Sequence, residues 1–122
     1  MTENLLLRME QSDDAEAVQA LLLDAFPGGP EARLVQQLRA EARPYLGWIA
    51  ERGGRVVGHI LFTPVRCNAA PEARLLGLGP MAVATAHQRQ GIGTRLARAG
   101  LAAAGDTGAR AVFVLGHPAY YP

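Results

Sequence analysis

The 122-residue chain is 49% hydrophobic and 19% charged, the balance of an ordinary globular protein, which excludes disordered, collagen-like and coiled-coil chains. Twelve basic and eleven acidic side chains leave a net charge of +1, so nothing electrostatic points to nucleic acid or an anionic membrane as a partner. Every basic residue is arginine, which removes Schiff-base chemistry, a lysine general base and a P-loop lysine.

The opening residues, Met1-Thr2-Glu3-Asn4, lack a basic region followed by an apolar one, and no apolar run nears the ~20 residues that cross a bilayer. A cytoplasmic protein forming one domain over residues 1–122 is expected. Residues 5–9 read as a strand. Ser12 or Asp13 offers a helix cap with Glu16 beyond it, and Ala17, Val18, Leu21 and Leu22 recur at helical spacing until Pro27-Gly28-Gly29-Pro30 breaks the helix near Phe26. A second helix carries Leu34, Val35 and Leu38 as its apolar stripe, with Glu31, Arg33, Gln37 and Arg39 outside, and ends at Pro44.

Residues 48–51 form a strand, Arg52-Gly53-Gly54-Arg55 a hairpin turn, and residues 56–65 the returning strand. Glu51 reads as solvated beside that turn. His59, alternating with Val57 and Leu61, reads as packed rather than as a base. Cys67 is the single cysteine, so neither an internal disulfide nor a Cys-rich metal site can form, and it reads as a small buried hydrophobe. After a loop at 68–72 comes a strand at 75–84, whose Gly77, Gly79 and Pro80 suggest a bulge or a close approach to the backbone. Residues 91–104 form a helix closed by Gly105-Asp106-Thr107-Gly108, and residues 111–115 a strand that looks buried on both faces. The order β-α-α-β-β-β-α-β implies an antiparallel meander followed by a parallel crossover. The fold class is therefore α/β (α+β), a mixed sheet with helices on both faces.

The chemistry lies in the passage from strand to helix at 80–96. A helix that opens with Gly91-Ile92-Gly93 presents unpaired N–H groups and partial positive charge, and glycine lets a phosphate approach them. On Gly-x-Gly alone, tight helix–strand packing explains the glycines equally well. A dinucleotide fingerprint is excluded because position 96 is leucine, and a P-loop because there is no lysine.

What remains, Gln88-x-x-Gly91-x-Gly93 after an apolar strand, resembles the acetyl-CoA pyrophosphate loop of the GNAT superfamily of N-acetyltransferases. Val57-Gly58-His59-Ile60 is similar to that family's third strand, and residues 112–122 to its fifth strand running toward a tyrosine. The resemblance implies that acetyl-CoA is the cosubstrate and that no metal is needed. It implies that N–H groups from Arg89, Gln90, Gly91, Ile92, Gly93 and Thr94 bind the pyrophosphate, with Gln88 shaping the loop. Met81, Ala82 and Val83 would pair with the pantetheine arm like an added strand, and Tyr121, or Tyr120 second, would be the general acid. No base is assigned.

The sequence departs from the family with Thr85 and His87 in the loop, and with Gly116-His117-Pro118 after strand five. His87 reads as a loop side chain, and Arg95 and Arg98 as a solvated helix face. The implied reaction is acetyl transfer to a small-molecule or peptide amine; the alternative is a catalytically silent acyl-CoA-binding or interaction module. The family's last two strands are missing, so the domain is expected to be incomplete at its C-terminus. Pairing of two copies through the strand-five end, or a loosely held terminus, is expected with it.

Overall fold

The computed structural model describes residues 4–66, 68–69 and 71–114. Strands β1 (Leu5–Met9), β2 (Leu46–Arg52), β3 (Arg55–Val65), β4 (Leu75–Val83) and β5 (Ala111–Val114) form one sheet in that spatial order. The first four pair antiparallel and β5 joins β4 in parallel. Helices α1 (Ala15–Ala25), α2 (Pro30–Glu41) and α3 (Ile92–Asp106) complete the order expected from the sequence.

The helices divide between the two faces of the sheet. On one face Ile92, Leu96 and Ala104 of α3 pack with Ala50, Ile60, Phe62, Leu76 and Leu78. On the other, Val18, Leu21 and Leu22 of α1 and Ala32 and Val35 of α2 pack with Ile49, Leu61 and Ala82. Fully burying each Val, Leu, Ile or Phe side chain among them contributes about 1.5–3 kcal/mol, so these two layers hold the sheet between them. A Cβ on Gly100 would overlap the Phe62 ring, which fixes how closely α3 lies on β3.

The element boundaries move by a few residues. A 3₁₀ turn at Ser12–Asp14 precedes α1, and Gln11 N donates to Asp14 Oδ2 (2.7 Å), so the N-terminal cap lies one position earlier than Ser12. Gly105 and Asp106 still belong to α3, and the left-handed residue after it is Gly108. The turn between β2 and β3 has both glycines at positive φ, +60° at Gly53 and +78° at Gly54, as a tight hairpin requires.

Five environments differ from the sequence reading. Leu34 is exposed, and the buried stripe of α2 runs through Ala32 and Val35. Arg39 is not outside but folds back to pair with Glu10. Glu51 is not merely solvated, because Arg8 Nε donates to its Oε1 at 2.8 Å. Val57 does not share a face with His59: a bulge opposite Ala50 and Glu51 makes it the extra residue of β3 and turns it toward α3. Strand β5 is not buried on both faces. Val112 packs into the α3-side core, whereas Phe113, one residue on and on the opposite side, remains 48% exposed. Cys67, Leu115, Tyr120 and Tyr121 lie outside the described residues.

Candidate functional site: the open edge of β4 and the turn into α3

Strand β4 changes character halfway along. From Leu75 to Leu78 it is paired on both sides, with β3 and with Ala111–Val114 of β5. Beyond Leu78 two residues, Gly79 and Pro80, face the single residue Leu61 on β3, so the bulge expected from the glycines and proline is present. Among the described residues, the edge of β4 from 79 to 83 has no strand partner on the β5 side. A strand edge without a partner can accept an extended backbone. Met81, Ala82 and Val83 all lie on this stretch. Ala82 is buried toward α1, and the other two lie half-buried against the α3-side core.

The loop that follows is anchored at three points. Ala84 N donates to Val57 O (2.8 Å). Thr85 is held by Asp24 of α1, through its N–H at 2.8 Å and its hydroxyl at 3.0 Å. Gln88 Nε2 then donates to Val83 O (3.1 Å), closing the loop on the strand it left. His87 sits half-buried in a 3₁₀ turn at Thr85–His87.

The chain next enters α3 through two left-handed residues, Arg89 (φ +65°) and Gly91 (φ +79°). Gly91 is the N-cap, and no side chain caps the helix. The first intrahelical bond is Arg95 N to Gly91 O (3.1 Å), so the N–H groups of Ile92, Gly93 and Thr94 have no intrahelical acceptor. Ile92 anchors the turn in the core at 1% exposure. The α3 N-terminus is thus a fixed, uncapped cluster of donors with partial positive charge.

The two glycines of the motif have different reasons. A Cβ on Gly91 would meet nothing within 4 Å, so glycine serves the left-handed backbone and leaves open space over the donors. A Cβ on Gly93 would come within 3.2 Å of Met81 Cε, so there glycine serves close helix–strand packing. Arg95 and Arg98 are exposed along the helix, as a solvated face requires.

A second polar cluster lies on the α1 and α2 side, and three of its four members were invisible in the sequence. His59 is fully buried, and its Nε2 donates to Glu10 Oε1 at 2.7 Å. Glu10 itself is 2% exposed; Arg39 pairs with its other oxygen, and Tyr45 OH donates to it at 3.0 and 3.1 Å. The Arg39 guanidinium stacks 5.0 Å from the Tyr45 ring centroid. Burial raises the Glu10 pKa, but hydrogen bonds and charge from His59 and Arg39 outweigh it and hold the carboxyl below its ordinary range. Burial, followed by the Glu10 charge, pushes the Tyr45 hydroxyl well above its usual value. Gly47 was the available signal: a Cβ there would overlap Glu10 Oε1, and glycine inside a strand marks such an approach. Among the described residues no cluster of three His, Cys, Asp or Glu side chains could hold a metal, and no helix is long and apolar enough to cross a membrane.

Residues 15–120 match the profile of the Acetyltransferase (GNAT) family, and the chain belongs to that family. It is 39% identical over 112 residues to the uncharacterized N-acetyltransferase YjhQ of Escherichia coli K12, covering 89% of this chain and 62% of that protein. It is 35% identical over 118 residues to the uncharacterized N-acetyltransferase YhbS of the same strain, covering 96% of this chain and 70% of that protein. The chain therefore spans between three-fifths and three-quarters of these relatives. Among solved structures, a GNAT acetyltransferase of Brucella melitensis in complex with acetyl-CoA superposes with a TM-score of 0.86 at 36% identity, covering 98% of this chain and 80% of that one. The Escherichia coli YhbS structure in complex with CoA superposes with a TM-score of 0.88 at 33% identity, covering 99% of this chain and 67% of that one.

Proposed function

We propose that this chain is an acetyl-CoA-dependent N-acetyltransferase that moves the acetyl group to a primary amine, on a small molecule or a peptide, by direct attack in a ternary complex. The observation that carries the reading is the uncapped α3 N-terminus, with open space at Gly91 and donors at Ile92, Gly93 and Thr94. The acetyl-CoA and CoA held by two similar solved structures support the same assignment. N–H groups of the turn from Arg89 to Thr94 bind the diphosphate, and Gln88 keeps the loop closed on β4. The free edge at Met81, Ala82 and Val83 receives the pantetheine arm as an added strand.

In the reaction the amine loses a proton to solvent and its nitrogen attacks the thioester carbonyl; a carbon–nitrogen bond forms, the carbon–sulfur bond breaks, and the CoA thiolate departs. Holding both reactants at one edge supplies much of the rate. A backbone N–H near Val83 stabilises the developing oxyanion. Tyr121, or failing it Tyr120, donates a proton to the thiolate. Pairing of two copies through the β5 end is the accompanying expectation.

Calorimetric titration with CoA, followed by acetyl-CoA turnover with a panel of amines, tests the proposal. Saturable CoA binding together with amine-dependent thiol release is expected; a chain that binds no CoA is not this enzyme. Tyr121→Phe removes only the proton and should lower kcat about 100-fold with little change in the KM for acetyl-CoA. Unchanged kcat removes Tyr121 from the mechanism. Light scattering across a concentration series reads the pairing, and a concentration-independent monomer refutes it.

A further inference from the structure

The diphosphate loop is held from outside its own motif. Arg52, the last residue of β2, lies two positions beyond Ala50, whose side chain packs in the α3-side core. Strand alternation therefore sends Arg52 to the α3 side of the sheet. Its Nη1 donates to Gln90 Oε1 at 2.6 Å and sits 3.5 Å from His87 Nδ1. Gln90 lies between the two left-handed residues Arg89 and Gly91, at the point where the turn must hold its shape. The Arg52 Nε is buried with no hydrogen-bond partner among the described residues, whereas Arg89 and Arg95, nearer in sequence to the donors, are exposed. The hairpin behind Arg52 is tight, with Gly53 and Gly54 both at positive φ, so the guanidinium is delivered from a rigid corner.

We infer that Arg52 is a positioning residue for the CoA diphosphate: through Gln90 it fixes the Arg89–Gly91 turn, and it adds a fixed positive charge beside the α3 N-terminus. This rests on the acetyl-CoA reading above. The Arg52–Gln90 hydrogen bond lies at the surface, but its donor is charged, which makes it stronger than a bond between neutral groups. The contact joins residues 38 positions apart, so no local motif reports it.

The test titrates the full chain and its variants with CoA and with pantetheine, which lacks the diphosphate. Arg52→Gln should weaken CoA about 10-fold and leave pantetheine affinity and Tm unchanged. Gln90→Ala, an exposed loop change, isolates the same contact and should also weaken CoA. The double variant should lose no more than Arg52→Gln alone, because both remove one interaction. Equal loss for CoA and pantetheine, a fall in Tm that accounts for the loss, or unchanged CoA affinity in Arg52→Gln would overturn the inference. Unchanged pantetheine affinity with weaker CoA in both single variants supports it. Failure of the wild-type chain to bind CoA would instead overturn the acetyl-CoA reading on which this one rests.

Discussion

Two polar regions flank the strands β3 and β4, and they are built in opposite ways. The turn into α3 is made of backbone, drawn from one continuous stretch; no side chain caps its donors, and the space beside Gly91 is open. The Glu10–Arg39–Tyr45–His59 cluster is made of side chains from four separate places that converge on one buried carboxylate, while His59 Nδ1 and Arg39 Nη2 lie buried without a hydrogen-bond partner among the described residues. A site that must admit a ligand leaves donors unsatisfied at the surface, where water serves until the ligand arrives. A cluster that satisfies its own carboxylate from three directions locks strands and helix together.

The largest test of that contrast is Glu10→Ala. It leaves the buried His59 and the half-buried Arg39 without their carboxylate, and should cost about 3 kcal/mol in urea unfolding while CoA affinity stays near wild type. Loss of CoA binding at preserved stability would make the cluster part of the ligand site. Gly47→Ala should destabilise wild type but cost much less in a Glu10→Ala background, because the clashing carboxylate is then gone. Additive losses in that cycle would mean that the strand, and not Glu10, resists the methyl group.

Gly91→Val should behave in the reverse manner. The left-handed φ of +79° costs roughly 1–2 kcal/mol in stability, and the branched side chain covers the α3 donors. CoA affinity should fall at least about 10-fold, more than the stability loss explains. Unchanged affinity by calorimetry would remove the α3 N-terminus from the site.

Acid provides a smaller test. Arg8, by two hydrogen bonds that outweigh burial, lowers the Asp14 pKa from 3.8 to about 2. A depressed carboxyl contributes stability that is present above its unfolded value and lost as pH falls through its folded value. The Asp14 contribution should therefore be intact above pH 4 and vanish toward pH 2, amounting to about 1 kcal/mol for so partly exposed a pair. Asp14→Asn should flatten the stability profile in that window; an unaltered acid limb would assign the acid sensitivity to Glu10 instead.

The smallest effect belongs to Gly93→Ala. Met81 Cε is the flexible end of a side chain and can yield a few tenths of an ångström, while alanine favours the helix, so stability should stay within about 0.5 kcal/mol. A large loss would show that Met81 is pinned, and that packing at Gly93 is as strict as the backbone requirement at Gly91.

The sequence by itself determined the order of elements, the hairpin at Gly53 and Gly54, the bulge at Gly79 and Pro80, and the turn at Gly91. Each depends on residues close together along the chain: the period of an apolar stripe, or a glycine where the backbone turns left-handed. Tertiary structure alone decided which face Val57 takes, because one bulged residue reverses the alternation that makes strands readable. It also decided that Arg39 folds inward to Glu10, that Glu51 meets Arg8, and that Arg52 reaches Gln90 across the hairpin. A charged residue on a helix or strand end looks solvated until its partner is known, and these partners are brought close only when the sheet assembles. Phe113 follows the same rule: an apolar strand is buried only where another layer covers it, and among the described residues none covers Phe113 fully.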